Sequence, residues 1–188
     1  GVRAGCLDVY CREGERWEKS ARDFLAQNNI KPSRQLLERV FRRRRRIFGR
    51  YSRGMRFFPG AFRILRELKM RGYKLALVSG TPGIEIKRML PAGIGRLFDV
   101  MVTGDKVRRG KPHPEPYKTA LRLLGLKAAE CLVVENAPLG IASASGAGIF
   151  CVAVSTSLPA EYLNKADMIV GGISAVLPII ENRSRRRK

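Results

Sequence analysis

Residues 131–138 read CLVVENAP, an apolar run that ends in an acid and an amide just before a proline. Residues 75–81 (LALVSGT) and 100–112 (VMVTGDKVRRGKP) are built in a similar way. Short apolar runs bounded by glycine and proline are typical of buried strands, and the segments between these runs have the apolar spacing of helices. The alternation predicts an α/β fold with a parallel sheet and right-handed crossovers.

Polar side chains follow each of these three strands. In an open parallel sheet the carboxyl ends of the strands share one crevice, where ligands bind. We therefore expect the hydroxyl of Ser79, the ammonium of Lys111 and the acid–amide pair of Glu135 and Asn136 to meet at one point. Taken together, these groups are suited to handling a phosphoryl group.

Each of these residues also has a simpler interpretation when it is taken alone. Ser79 is a common turn residue, Lys111 could be a solvated loop lysine, and Glu135 could cap the following helix. Their joint placement at three strand ends favours the shared site. His113 is the only histidine and lies between two prolines, and we interpret it as a turn residue.

Composition limits the class of protein. The 188 residues, 45% of them apolar and 28% charged, suit one globular domain or a core with a small appendage. No apolar run is long enough to span a membrane, and residues 1–20 do not resemble a signal peptide. The four cysteines lack CxxC spacing, which favours reduced thiols and a cytoplasmic location.

The formal net charge is +21, and basic residues cluster at Arg42 to Arg46 and in residues 183–188. Such clusters attract nucleic acid or anionic surfaces without sequence preference. No zinc-finger spacing or aromatic RNA-binding strand accompanies them. We expect neither a specific nucleic-acid partner nor a membrane partner.

The chain divides into three parts. Residues 1–57 are predicted to form a helical hairpin, with Ser33 as the N-cap of the second helix and a loop from Gly49 to Gly54. Residues 58–182 carry the strand–helix alternation, and residues 183–188 form a basic tail.

The order and spacing of several motifs closely resemble the haloacid dehalogenase (HAD) superfamily. The nearest branch resembles the β-phosphoglucomutase and phosphoglycolate-phosphatase-like hydrolases with a helical cap. The motifs are residues 58–60 (FPG), 77–81 (LVSGT), 104–105 (GD), 110–117 (GKPHPEPY) and 133–141 (VVENAPLGI). The resemblance implies a Rossmann-like three-layer sandwich for residues 58–182 and a partial helical cap for residues 1–57.

The resemblance also implies a role for each matched residue. The phosphoryl group would be held by Ser79, with Gly80 and Thr81 beside it, and by Lys111. Glu135 and Asn136 would hold Mg²⁺ through oxygen ligands. The family more often has an aspartate where Asn136 stands, so we expect weaker metal binding. Arg12, with other cap arginines, would contact the substrate.

The first motif of the family, a strand ending in DxDGT, does not occur in this sequence. Leu7 and Asp8 imitate its beginning, but Tyr10 stands where the second acid is expected. We interpret the chain as starting late, so that the central first strand is missing between the strands that end in Ser79 and Glu135. Asp8 as a displaced nucleophile is a weaker alternative.

These expectations combine into one functional hypothesis. The resemblance implies a lineage of Mg²⁺-dependent phosphatases acting on small phosphorylated metabolites such as sugar phosphates, and we expect the chain to be monomeric and inactive as given. A phosphomutase and a noncatalytic anion- or partner-binding protein stay open as alternatives. The incomplete cap leaves the substrate itself unspecified.

Overall fold

The computed structural model describes residues 5–52, 56–91 and 93–185. The first part of the chain is helical, with α1 (Cys6–Tyr10), α2 (Trp17–Gln27) and α3 (Arg34–Tyr51). The side-chain oxygen of Ser33 accepts a hydrogen bond from the backbone N–H of Leu36 at 3.2 Å, so the predicted N-cap of α3 is confirmed.

The two longer helices pack as a hairpin. Trp17 of α2 stacks on Phe41 of α3 with ring centroids 4.6 Å apart, and Leu25 and Leu37 are buried. Helix α3 continues to Tyr51, so residues 49–51 are helical where a loop was expected; residues 53–55 lie outside the described residues. The arginines of α3 favour this extension because arginine is a good helix former.

The rest of the chain alternates strands with helices. These elements are α4 (Ala61–Met70), β1 (Ala76–Val78), α5 (Gly83–Met89), β2 (Val100–Val102), α6 (Glu115–Leu124), β3 (Leu132–Glu135), α7 (Pro138–Gly146), β4 (Phe150–Val154), β5 (Met168–Val170) and α8 (Val176–Arg185). Short 3₁₀ helices lie at Ile94–Leu97, Gly104–Lys106, Ala128–Glu130, Ala160–Leu163 and Ile173–Ala175. Helix α8 extends three residues into the segment expected to be a basic tail.

All described strand pairs are parallel, which confirms the predicted α/β class. β1 pairs with β2, and β3, β4 and β5 pair in that order. The largest core cluster packs α7 against β3 and β4, with Ile141 and Ala153 fully buried. Cys151 is also buried, whereas Cys131 is half-buried. No helix among the described residues is long and apolar enough to cross a bilayer.

The strands form two sheets instead of one. Within the described residues, β1 pairs only with β2, and β3 pairs on one side only, with β4. A cavity of about 890 Å³, which we call the slot, is lined by Ala76 and Val78 of β1 and by Leu132 and Val134 of β3. The slot lies where the resemblance expects the missing strand, and the two facing strands do not pair with each other to close it.

Unpaired strand edges can pair with another chain, so we expect the slot to limit stability and solubility. The isolated chain should bind a hydrophobic dye before heating and should unfold over a broad range with a low midpoint. A cooperative thermal transition with a high midpoint, measured by circular dichroism, would contradict this expectation.

A charged side chain at the rim of the slot should reduce association. Val134 is 40% exposed on β3, and Val134→Lys places a solvated ammonium at this edge. Light scattering should show slower association for this variant. The matched control is Leu123→Lys, at a 51% exposed position of α6 that does not line the slot, and it should associate like the parent chain.

Candidate active site

Lys111 is the centre of the candidate site. Its side chain is only 6% exposed, and its ammonium contacts the carboxylate of Glu135 and lies 3.3 Å from the carbonyl oxygen of Val78. The ammonium also lies over the ring of Tyr117, 5.1 Å from the centroid. A charge taken out of water needs such partners, because an unpaired buried ion is very costly.

Glu135 is the last residue of β3, and its carboxylate accepts several hydrogen bonds. Its carboxylate accepts hydrogen bonds from Lys111, from the hydroxyl of Tyr117 and, at 3.2 Å, from the backbone N–H of Asn136. Gly140 lies in the first turn of α7, and a Cβ there would collide with this carboxylate. Glycine therefore lets the amino end of α7 approach the negative charge, an arrangement that the helix dipole stabilises.

Ser79 lies at the same edge of the fold, directly after β1. Its backbone N–H donates to the carbonyl oxygen of Val102 at 2.9 Å, and its side-chain oxygen accepts from the N–H of Thr81 at 3.1 Å. The preceding residue, Val78, supplies the carbonyl oxygen that contacts Lys111. The structure thus brings the ends of β1 and β3 together through Lys111.

A turn between α1 and α2 lies over these strand ends. Gly14 has φ +83°, and a Cβ there would lie 2.7 Å from Cδ of Lys111. A Cβ on Gly80 would collide with the backbone oxygen of Gly14. The two glycines therefore allow the turn to contact both Lys111 and the segment that follows Ser79.

The same turn brings in Glu13, which sequence reasoning did not identify. Asn136 donates its side-chain amide to the carboxylate of Glu13 at 2.5 Å and to the hydroxyl of Ser157 at 3.1 Å. No motif spacing in the sequence indicates this contact, because it joins residues 123 positions apart.

Burial is the main reason that the pKa of Glu13 is raised above its ordinary value. The hydrogen bond from Asn136 and the charge of Lys111 act in the opposite direction, and the charge of Glu135 adds to the increase. The pKa of the Tyr117 hydroxyl is also raised well above its usual range by burial and by Glu135. Burial raises the pKa of Cys151 to about 12, so this thiol is not a nucleophile at neutral pH.

Other candidate residues have local partners. The guanidinium of Arg12 contacts Glu15 at 2.8 Å and Asp23 at 2.7 Å, so this cation is paired within the helical part of the chain. Asp8 accepts from the backbone N–H of Gly5 at 2.9 Å. His113 accepts from the N–H of Glu115 at 3.1 Å, which is consistent with a turn residue at the start of α6.

The donor atoms near Asn136 suit a hard cation in kind, since they are carboxylate and amide oxygens. Nevertheless, in the part of the chain that the structure describes, no group of three or more His, Cys, Asp or Glu side chains is arranged to hold a metal. Glu135 already neutralises Lys111, and Asn136 contributes no charge. Any magnesium site formed by this pair therefore needs further ligands.

The fold agrees with the comparisons to known proteins. Residues 15–154 match the family model of the haloacid dehalogenase-like hydrolases, so the chain belongs to that family. The fold is similar to that of β-phosphoglucomutase from Clostridium difficile, with a TM-score of 0.86 over 100% of this chain and 85% of that chain, at 21% identity. At that identity the similarity shows the fold alone.

Two curated relatives are named as phosphatases. The chain is 38% identical over 118 residues to validoxylamine A 7'-phosphate phosphatase of Streptomyces hygroscopicus subsp. limoneus, covering 62% of this chain and 55% of the relative. It is 34% identical over 137 residues to hexitol phosphatase A of Escherichia coli (strain K12), covering 72% and 63%. The chain thus spans less than two thirds of the length of either relative.

Removing one partner of the buried ion pair should lower the free energy of unfolding far more than removing both charges. We expect Lys111→Met to destabilise the chain by about 3–5 kcal/mol, because it leaves the carboxylate of Glu135 without its counter-ion. The double variant Lys111→Met/Glu135→Gln should recover much of this loss, since the amide still accepts from Tyr117. Urea unfolding of both variants and the parent measures the difference; equal losses would contradict the pairing.

Glu13 should make stability depend on pH. A carboxyl whose pKa is raised on folding binds more protons in the folded state, so its contribution falls as pH rises from the ordinary value of 4.5 toward the raised one. Glu13→Gln removes this titration and should become more stable relative to the parent across that window. Urea unfolding of the variant and the parent at several pH values measures this. A difference in their free energies of unfolding that stays constant with pH would refute the expectation.

Proposed function

We propose that this chain carries the phosphate-binding half of a HAD phosphomonoester hydrolase acting on small phosphorylated metabolites. The observation that carries the proposal is the contact of Lys111 with Glu135 and with the carbonyl oxygen of Val78, the residue before Ser79, at one edge of a parallel α/β fold. Membership of the family supports the hydrolase class. The phosphatase names of two relatives support a phosphate monoester as substrate.

In this proposal Ser79 and Lys111 bind the phosphoryl group. The hydroxyl of Ser79 and the backbone N–H groups of Gly80 and Thr81 donate hydrogen bonds to phosphoryl oxygens, and the Thr81 N–H gives up its bond to the Ser79 oxygen to do so. The ammonium of Lys111 offsets the negative charge that gathers on the phosphoryl oxygens during transfer. Because Lys111 is buried, this charge acts in an environment of low dielectric, where it is worth more than in water.

Mg²⁺ is the proposed cofactor, with Glu135 and Asn136 as its protein ligands. When bound, the cation would supply further positive charge against the phosphoryl oxygens. The amide of Asn136 lowers the negative charge of the site, and Lys111 competes for Glu135. We therefore propose weaker magnesium binding than an aspartate at position 136 would give.

The nucleophile is proposed to come from outside the described site. The sequence has no DxDGT motif, and the described residues leave the slot between β1 and β3 without a strand. A strand in the slot would end beside Lys111, where an aspartate could attack phosphorus and displace the substrate alcohol. Water would then hydrolyse the acyl phosphate. Without that aspartate, the sequence as given should not turn over phosphate esters.

The substrate class and cellular context complete the proposal. Sugar phosphates fit the name of the hexitol phosphatase relative, and the helical hairpin of α2 and α3 would cover the site, with Arg12 close to it. A monomeric state and a cytoplasmic location are also proposed, the latter from the cysteine spacing alone. A phosphomutase is the alternative enzyme, in line with the β-phosphoglucomutase-like fold.

A noncatalytic protein is the second candidate. The ammonium of Lys111 is already neutralised by Glu135, and the described residues lack a three-ligand metal cluster. Such a protein would bind an anion or a partner at the same crevice without turning it over.

An engineered strand tests the enzymatic proposal. Residues 1–11, which precede Arg12 and the family match, would be replaced by an apolar strand ending in Asp-x-Asp-Gly-Thr and a short linker. This variant should gain Mg²⁺-dependent hydrolysis of p-nitrophenyl phosphate, because the strand completes the sheet and supplies the nucleophile.

The matched control carries Asn-x-Asn-Gly-Thr, which keeps the strand but removes both acids. It should show the same gain in thermal stability and no turnover. Stabilisation of both variants without activity in either would favour the noncatalytic candidate. Turnover by the unaltered chain, abolished by Lys111→Ala, would contradict the proposed inactivity.

A further inference from the structure

Helix α3 presents a second charged feature, unrelated to the candidate active site. Five arginines share one side of the helix, which we call the arginine face: Arg39, Arg42, Arg43, Arg46 and Arg50. With 3.6 residues per turn they fall within an arc of about 100°. All five are exposed, and within residues 5–52, 56–91 and 93–185 none of them forms an ion pair.

The opposite side of α3 holds the helix in place. Leu37 is buried, and Phe41 stacks on Trp17 of α2. Arg44 points the other way from the arginine face and binds both carboxylate oxygens of Glu85, at 2.8 and 3.0 Å. The arginine face is therefore carried by a helix that is fixed on two sides.

The charges on this face repel one another. Residues three and four apart are neighbours on a helix, and like charges at these spacings are destabilising. The only acid on α3, Glu38, takes its ion pair from Arg34. A polyanion lying along the helix would supply the missing negative charge.

The spacing of the charges fits a nucleic-acid backbone. Arg39 and Arg50 are eleven residues apart, which is about 16 Å along the helix axis. Five guanidinium groups over this length give about one charge per 4 Å, close to the roughly 3.4 Å per phosphate along one strand of duplex DNA. Guanidinium groups also bind phosphate oxygens in bidentate fashion.

A membrane surface fits the helix less well. A helix that lies in a lipid interface buries its apolar face in the bilayer. The first half of the apolar side of α3 is already packed against α2, since Leu37 and Leu25 are both buried. Ile47 and Tyr51 are exposed, but they lie in the last two turns only, whereas the arginine face runs along most of the helix.

We propose that the arginine face binds the phosphate backbone of double-stranded nucleic acid without sequence preference. This function does not depend on the proposed phosphatase chemistry, because the arginine face shares no residue with the candidate active site. Nucleic-acid binding would give a role to five positive charges that the candidate active site does not use.

The test is fluorescence anisotropy of a labelled 20-base-pair DNA duplex at several salt concentrations. Each neutralised phosphate contributes about −0.9 to the slope of log affinity against log salt, so five contacts predict a slope near −4.5. Changing the five arginines to glutamine should make this slope less negative by about 3 or more. Changing them to lysine should preserve most of it.

The matched control removes five exposed positive charges scattered elsewhere, so that both variants lose the same net charge. These positions are Arg63, Arg66, Lys118, Arg122 and Lys165. The scattered variant should bind the duplex nearly as the parent does, and circular dichroism should show that both variants are folded. Equal loss of binding in the two variants would overturn the proposal, and so would binding to anionic vesicles without binding to the duplex.

Discussion

The buried contact between Lys111 and Glu135 is the constraint on which the rest of the site depends. The ammonium comes from the loop before α6 and the carboxylate from the end of β3, while Val78 at the end of β1 supplies a carbonyl oxygen. One cation thus joins elements that belong to two separate sheets. Because both charges are out of water, neither can be removed alone without a large loss of stability.

This contact also explains why small residues surround the site. Gly140 lets α7 approach the carboxylate, and Gly14 and Gly80 let the N-terminal turn lie against Lys111 and the segment after Ser79. The turn then adds Glu13, which Asn136 holds in place. The sequence pattern predicts the site at the ends of the strands alone. In the structure, the turn between α1 and α2, which precedes all described strands in the chain, also contributes to it.

The sequence predicted most of the core, and the family resemblance placed a missing strand between β1 and β3, where the structure has the slot. The apolar run before Glu135 and the proline at the start of α7 are local signals, so these elements were found within one or two residues. The pairing of Glu13 with Asn136 depends on tertiary packing, and no local pattern encodes it. The predicted role of Arg12 at the substrate is untested, and the structure pairs its guanidinium with Glu15 and Asp23.

The central claim is that one anion binds between Ser79 and Lys111. The most direct measurement is a crystal structure of this chain determined in the presence of phosphate and Mg²⁺. We expect a tetrahedral anion within hydrogen-bond distance of the Ser79 hydroxyl and the Lys111 ammonium, with Glu135 and Asn136 facing the cation. An ordered phosphate bound only elsewhere, with Lys111 and Glu135 still paired and the crevice filled by the N-terminal turn, would contradict it.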